Sequence, residues 1–92
     1  MEGVMFRIFT EDTGRDKIAL VMDTHFPSYT MYPAEGVWKG EHGKSLVLEV
    51  LSSPSDIKVI QTNVEMAAQE IKMLNHQKAV LVQKVANENW LI

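Results

Sequence analysis

The chain has 92 residues, enough for one domain about two layers thick and no more. Hydrophobic residues make up 46% and charged residues 23%, which excludes a disordered chain; nine basic against twelve acidic residues give a net charge of −3, which excludes a general nucleic-acid binder built on clustered Lys and Arg. There is no cysteine, so a disulfide framework, a Cys-ligated zinc site and a thiol nucleophile are excluded too.

Residues 4–10 read as a strand, with Val4, Phe6 and Ile8 on one face and Met5, Arg7 and Phe9 on the other. Both faces are largely apolar, which places the strand centrally. After a polar turn, Thr13 is the expected cap of a helix, and Ile18, Val21, Met22, His25 and Phe26 recur at helical spacing until Pro27 ends it. Residues 28–38 are extended, with Pro33 at an edge or bulge. Gly36, Gly40 and Gly43 bracket Trp38, Lys39, Glu41 and His42, and residues 41–44 are the expected hairpin tip.

Residues 44–52 form the clearest strand, apolar on both faces except at Glu49. Ser53 caps the next helix, Pro54 suits its first position, and Ile57, Ile60, Val64, Ala67, Ile71 and Leu74 form its buried stripe, widened by Val59, Met66 and Met73, up to Asn75. Residues 78–85 are the last strand, broken by Asn87-Glu88-Asn89 before an apolar Trp90-Leu91-Ile92. No apolar run approaches the roughly 20 residues of a membrane-spanning helix. The first residues lack the pattern of a signal peptide. The expectation is a soluble, cytoplasmic protein of one domain, residues 1–92.

The order β-α-β-β-α-β is the ferredoxin-like, α+β arrangement: a four-stranded antiparallel sheet with two helices on one face. Two helices leave the other face open, and Met5, Phe9, Val47, Leu51 and Leu81 are available to it. An apolar sheet face usually marks an interface, so the expected partner is a second copy, in a trimer or a dimer-based assembly, with Trp90, Leu91 and Ile92 also in contact.

Element order and length resemble the small ferredoxin-like oligomers of the nitrogen-regulatory PII-like and CutA-like superfamily. The run Tyr29-Thr30-Met31-Tyr32-Pro33-Ala34-Glu35-Gly36-Val37-Trp38-Lys39-Gly40, followed by Ser45-Leu46-Val47-Leu48-Glu49, is similar to small uncharacterised proteins of bacteria and their phages. The PII-like resemblance implies trimers that bind nucleotides in clefts between subunits. It also implies a long loop between the second and third strands that contacts partners. Here the corresponding loop, around Gly40 to Lys44, is short, which departs from PII signalling and leaves the cleft between subunits.

Among candidate site residues, Glu11 and Asp12 read as solvated helix-start charges, and His25, His42 and His76 are too scattered for a metal set. Trp38, Lys39 and Lys44 offer an aromatic plane and two ammonium groups, a set that can stack a base and pair a phosphate. Glu49 needs a partner in its apolar strand, and Arg7 in the neighbouring first strand can supply one. The reading is a non-enzymatic oligomeric module, without cofactor or metal, that binds a small anionic ligand such as a nucleotide through Arg7, Trp38, Lys39 and Lys44, with Glu49 positioning Arg7. In a phage protein this would sequester a host signal. The alternative is a protein-interaction module that docks through the open sheet or the hairpin. No nucleophile–base pair for an enzyme can be read.

Overall fold

The computed structural model describes residues 2–92. Its elements are β1 (Glu2–Glu11), α1 (Arg15–His25), β2 (Thr30–Trp38), β3 (Glu41–Ser52), α2 (Ile57–Leu74) and β4 (Leu81–Glu88). The sheet is antiparallel throughout, in the order β2-β3-β1-β4. The expected ferredoxin-like arrangement is the one found.

Strand alternation sorts the side chains. Val4, Phe6 and Ile8 of β1 and Leu46, Leu48 and Val50 of β3 are buried with Ile18 and Met22 of α1 and Val64, Ala67 and Ile71 of α2. The pairing registers run without a bulge, so the odd residues of β1, β3 and β4 and the even residues of β2 share the face away from the helices. Burying the helix-side set is what holds the two layers together, because each large apolar side chain taken from water contributes about 1.5–3 kcal/mol.

Several local details differ from the sequence expectation. The cap of α1 is Gly14, in the left-handed conformation at φ 66°, and not Thr13. Arg15 instead pairs with Asp12 across this turn, at 3.2 and 2.5 Å, so Asp12 is a helix-start charge as expected. The cap of α2 is Asp56, not Ser53; the serine hydroxyl turns to the Asp56 carboxylate at 3.0 Å, and the backbone of residues 53–56 makes a turn first.

The β2–β3 hairpin turns at Lys39 and Gly40, not at residues 41–44. Both residues have positive φ, 50° and 80°, as a two-residue turn matching strand twist requires. β3 therefore begins at Glu41, ahead of the expected residue 44, while β2 begins at Thr30 and not at residue 28; β4 is shifted along the chain, from Leu81 to Glu88 in place of 78–85. Val59, Met66 and Met73 are exposed and do not widen the buried stripe of α2. Among the described residues no helix is long and apolar enough to cross a membrane.

Leu48 is fully buried at the centre of the core. Replacing it by alanine leaves a cavity and should cost about 2–5 kcal/mol in urea unfolding. The exposed replacement Val59→Ala should cost under about 1 kcal/mol.

Candidate functional site on the open sheet face

Two central strands bring Arg7 and Glu49 directly opposite each other in the β1–β3 register. Arg7 Nε donates to Glu49 Oε2 at 2.8 Å. The Tyr32 hydroxyl of β2 donates to the same oxygen at 2.9 Å. The three side chains form one polar cluster on the open face. All the hydrogen bonds of Glu49 fall on Oε2; among the described residues Oε1 accepts none. That leaves one carboxylate oxygen, and the terminal nitrogens of Arg7, available to an outside group.

The surroundings are apolar. Met5, Phe9 and Val85 are half-buried beside the cluster, while Leu51 and Leu81 are 56% and 57% exposed. Val47 is only 2% exposed, already covered between its register partners Phe9 and Tyr32. It thus has almost no area left to bury against another molecule, unlike Leu51 and Leu81.

Electrostatics hold Arg7 and Glu49 ionised and Tyr32 protonated. The hydrogen bond from Arg7 keeps the Glu49 carboxyl below its usual range, against the opposing pull of burial, and the Tyr32 bond adds to it. The same carboxylate raises Arg7 and Tyr32 above their ordinary values. A buried or half-buried carboxylate is tolerated here because both donors sit on strands fixed by the sheet.

The other expected contacts lie elsewhere. Trp38 stands at the far end of β2, opposite Glu41, 76% exposed. Lys39 Nζ lies 5.9 Å from its ring centre. Eight residues of extended strand separate Glu41 from Glu49, about 27 Å at roughly 3.4 Å per residue. One small molecule cannot touch Trp38 and Glu49 of the same subunit. Lys44 has the alternation of Leu46 and Leu48 and so belongs to the helix-side face; its charge is felt by Asp12. It cannot join Arg7 over the open sheet.

At the strand positions of the open face, Arg7 is the one cationic side chain, against the carboxylates Glu11, Glu41 and Glu49. Tyr32 was not among the residues read from sequence as site residues. Its signal is that it sits two positions along β2 from Thr30, the register partner of Glu49, and so reaches Glu49 diagonally.

The histidines take structural partners: His25 with Glu70 at 3.1 Å and His42 with Glu35 at 3.2 Å. Among the described residues no group of His, Asp and Glu could hold a metal ion. A groove of about 410 Å³ at the hairpin is lined by Glu11, Gly36, Trp38, Glu41 and His42. A larger groove, about 770 Å³, runs between the start of α2 and β4.

Because the Glu49 pKa is lowered on folding, its contribution to stability is complete above the ordinary carboxylate range of about 4.3 and is lost as pH falls through the lower folded value. Urea unfolding between pH 5 and pH 2 should therefore show a smaller loss of stability in Arg7→Met than in the parent chain. Equal losses would mean that Arg7 does not set the Glu49 carboxyl.

No family profile and no curated protein matches the chain. Solved structures do. A phage SAM lyase in complex with S-methyl-5'-thioadenosine superposes with a TM-score of 0.68 at 16% identity, over 94% of this chain and 85% of that one. A DUF3240 family protein from Shewanella baltica OS155 matches at 0.67 and 6%, over 98% and 96%. A nitrogen regulatory PII-like protein from Thiomonas intermedia K12, bound to ADP, AMP and bicarbonate, matches at 0.61 and 11%, over 99% and 98%. At these identities the likeness establishes the ferredoxin-like fold, shared with PII-like proteins.

Proposed function

We propose that the chain is one subunit of a homo-oligomer that holds an adenosyl compound of the S-adenosylmethionine type. The ligand lies between the open sheet face of one copy and the Trp38–Lys39 hairpin of the next. The observation that carries this reading is the Glu49 carboxylate, kept ionised on an apolar face by Arg7 and Tyr32.

The charge balance selects the ligand class. An anionic nucleotide meets the unshared Glu49 oxygen and, as cations, only Arg7, already paired to Glu49, and Lys39 of the neighbouring hairpin, since Lys44 belongs to the other side. A sulfonium meets Glu49 and the aromatic rings of Tyr32 and Trp38, which attract cations. The ligand's own carboxylate can take the terminal nitrogens of Arg7 in paired bonds. Two similarly folded proteins hold adenosine-bearing molecules, S-methyl-5'-thioadenosine in one and ADP and AMP in the other, which supports the adenosyl half of the reading.

The likeness to a phage SAM lyase favours a second reading, in which the bound compound is also cleaved. A sulfonium carries its own leaving group. In one concerted displacement the substrate's own carboxylate oxygen bonds to the carbon that bears sulfur and closes a lactone, while the C–S bonding pair leaves on the neutral thioether, S-methyl-5'-thioadenosine. This route needs no nucleophile, base or metal from the protein, so the lack of a readable catalytic set does not exclude it.

S-adenosylmethionine and S-methyl-5'-thioadenosine should raise the melting temperature by a few degrees at concentrations well above Kd, because they bind the native state only. Glu49→Gln should abolish the rise with S-adenosylmethionine, and Lys44→Ala should keep it. Chromatography of the same mixtures decides the second reading: time-dependent release of S-methyl-5'-thioadenosine means cleavage, an unchanged ligand means binding alone. A rise with ADP alone, lost in Lys44→Ala, would overturn the sulfonium assignment. No rise with any of these compounds would leave protein docking as the function of the open face.

A further inference from the structure

The free edge of the sheet carries a self-complementary sequence. β4 pairs with β1 on one side only, and its other edge faces solvent. Beyond it Trp90, Leu91 and Ile92 are 72%, 101% and 116% exposed. An unpaired edge is a template for another strand, and the usual protections are proline, bulges or inward charges. Residues 80–92 contain no proline and no glycine, the pairing of residues 81–88 to β1 is regular, and residues 89–92 follow the strand as chain that a partner strand can order.

Their charges are one Lys and one Glu, Lys84 and Glu88. Setting these opposite each other in an antiparallel pair fixes a single register, centred on Ala86. That register then matches four of the five other pairs in kind: Gln83 with Asn89, Val82 with Trp90, Leu81 with Leu91, and Val80 with Ile92. Apolar residues meet apolar ones at both ends, and the ion pair occurs twice by symmetry. Only Val85 with Asn87 mixes the two kinds.

The faces also agree. Continuing the alternation of β4, Trp90 and Ile92 of the second copy fall on the helix side, beside Val82 and Val80. There a groove of about 290 Å³ lies between α2 and β4, lined by Ala68, Lys72, Val80 and Val82. Leu91 of the second copy falls on the open face, against the exposed Leu81.

We infer that two copies join along β4 about a two-fold axis, residues 80–92 of each pairing antiparallel around Ala86, to give one continuous eight-stranded sheet. Such an isologous contact is self-limiting, because each edge is used once. It removes the exposed edge and covers the apolar chain end. It uses the sheet edge and, on the open face, only the Leu81 margin, leaving Arg7, Tyr32 and Glu49 uncovered, so it is independent of the ligand reading.

The protein has no cysteine, which makes a single introduced one a clean probe. Ala86 faces itself across the axis, at a Cβ separation of about 4.5–5.5 Å, close to disulfide geometry. Ala86→Cys should oxidise to a covalent dimer in native buffer at least tenfold faster than Gln83→Cys, whose two copies lie far apart in this register. The difference should vanish in urea. Glu88→Lys should lower the dimer fraction by light scattering, and Lys84→Glu combined with Glu88→Lys should restore it. Equal crosslinking of the two cysteine variants, or a monomeric edge with Ala86→Cys unlinked, would overturn the pairing; the second result would leave the edge to a different protein.

Discussion

Two helices can cover only one face of a four-stranded sheet, and this sheet is apolar on both. The helix-side face takes Val4, Phe6, Ile8, Leu46, Leu48 and Val50 and seals them under Ile18, Met22, Val64 and Ile71. The other face keeps Met5, Phe9, Leu51, Leu81 and Val85 in partial or full contact with water. The fold is thus a half-sandwich with an apolar face open to a partner, the place at which the proposed function sets a second copy.

Within that open face one carboxylate decides the chemistry. Glu49 sits in the most apolar strand and is held by two donors from the strands on either side, which fixes its charge and its position before any ligand arrives. A preorganised anion in apolar surroundings is a poor receptor for phosphates and a good one for a compact cation with an apolar body. This turns the reading from the anionic ligand expected from Lys39 and Lys44 toward a sulfonium. Net charge alone could not make that distinction, because it does not record which side of the sheet each charge occupies.

Much of this was legible in the chain. The alternation of β1 and β3 gives the fold class and the two-faced sheet, and the isolated polar residues Arg7 and Glu49 in two apolar strands identify each other as partners. Face assignment beyond the hairpin was not legible, because it depends on where the turn falls. Lys39 and Gly40 form it, two residues earlier than the glycine spacing implies, and a register argument cannot be run until that point is fixed. Tyr32 was missed for a second reason: its approach to Glu49 is diagonal across β2 and β3, not between register partners. The caps of both helices departed from the expected Thr13 and Ser53 because the backbone turns before each helix, which leaves Gly14 and Asp56 at the cap positions. The exposed Val59, Met66 and Met73 have helical spacing but lie outside the arc of α2 that meets the sheet.

The central claim is that the open face is completed by another copy with an adenosyl sulfonium between them. Native mass spectrometry of the protein mixed with S-adenosylmethionine addresses it most directly, since it weighs the assembly and what it carries together. The account predicts an oligomer with one adenosyl compound per subunit, as S-adenosylmethionine or S-methyl-5'-thioadenosine, and the bare oligomer with Glu49→Gln. A monomer that carries nothing, at micromolar protein and millimolar ligand, would contradict it.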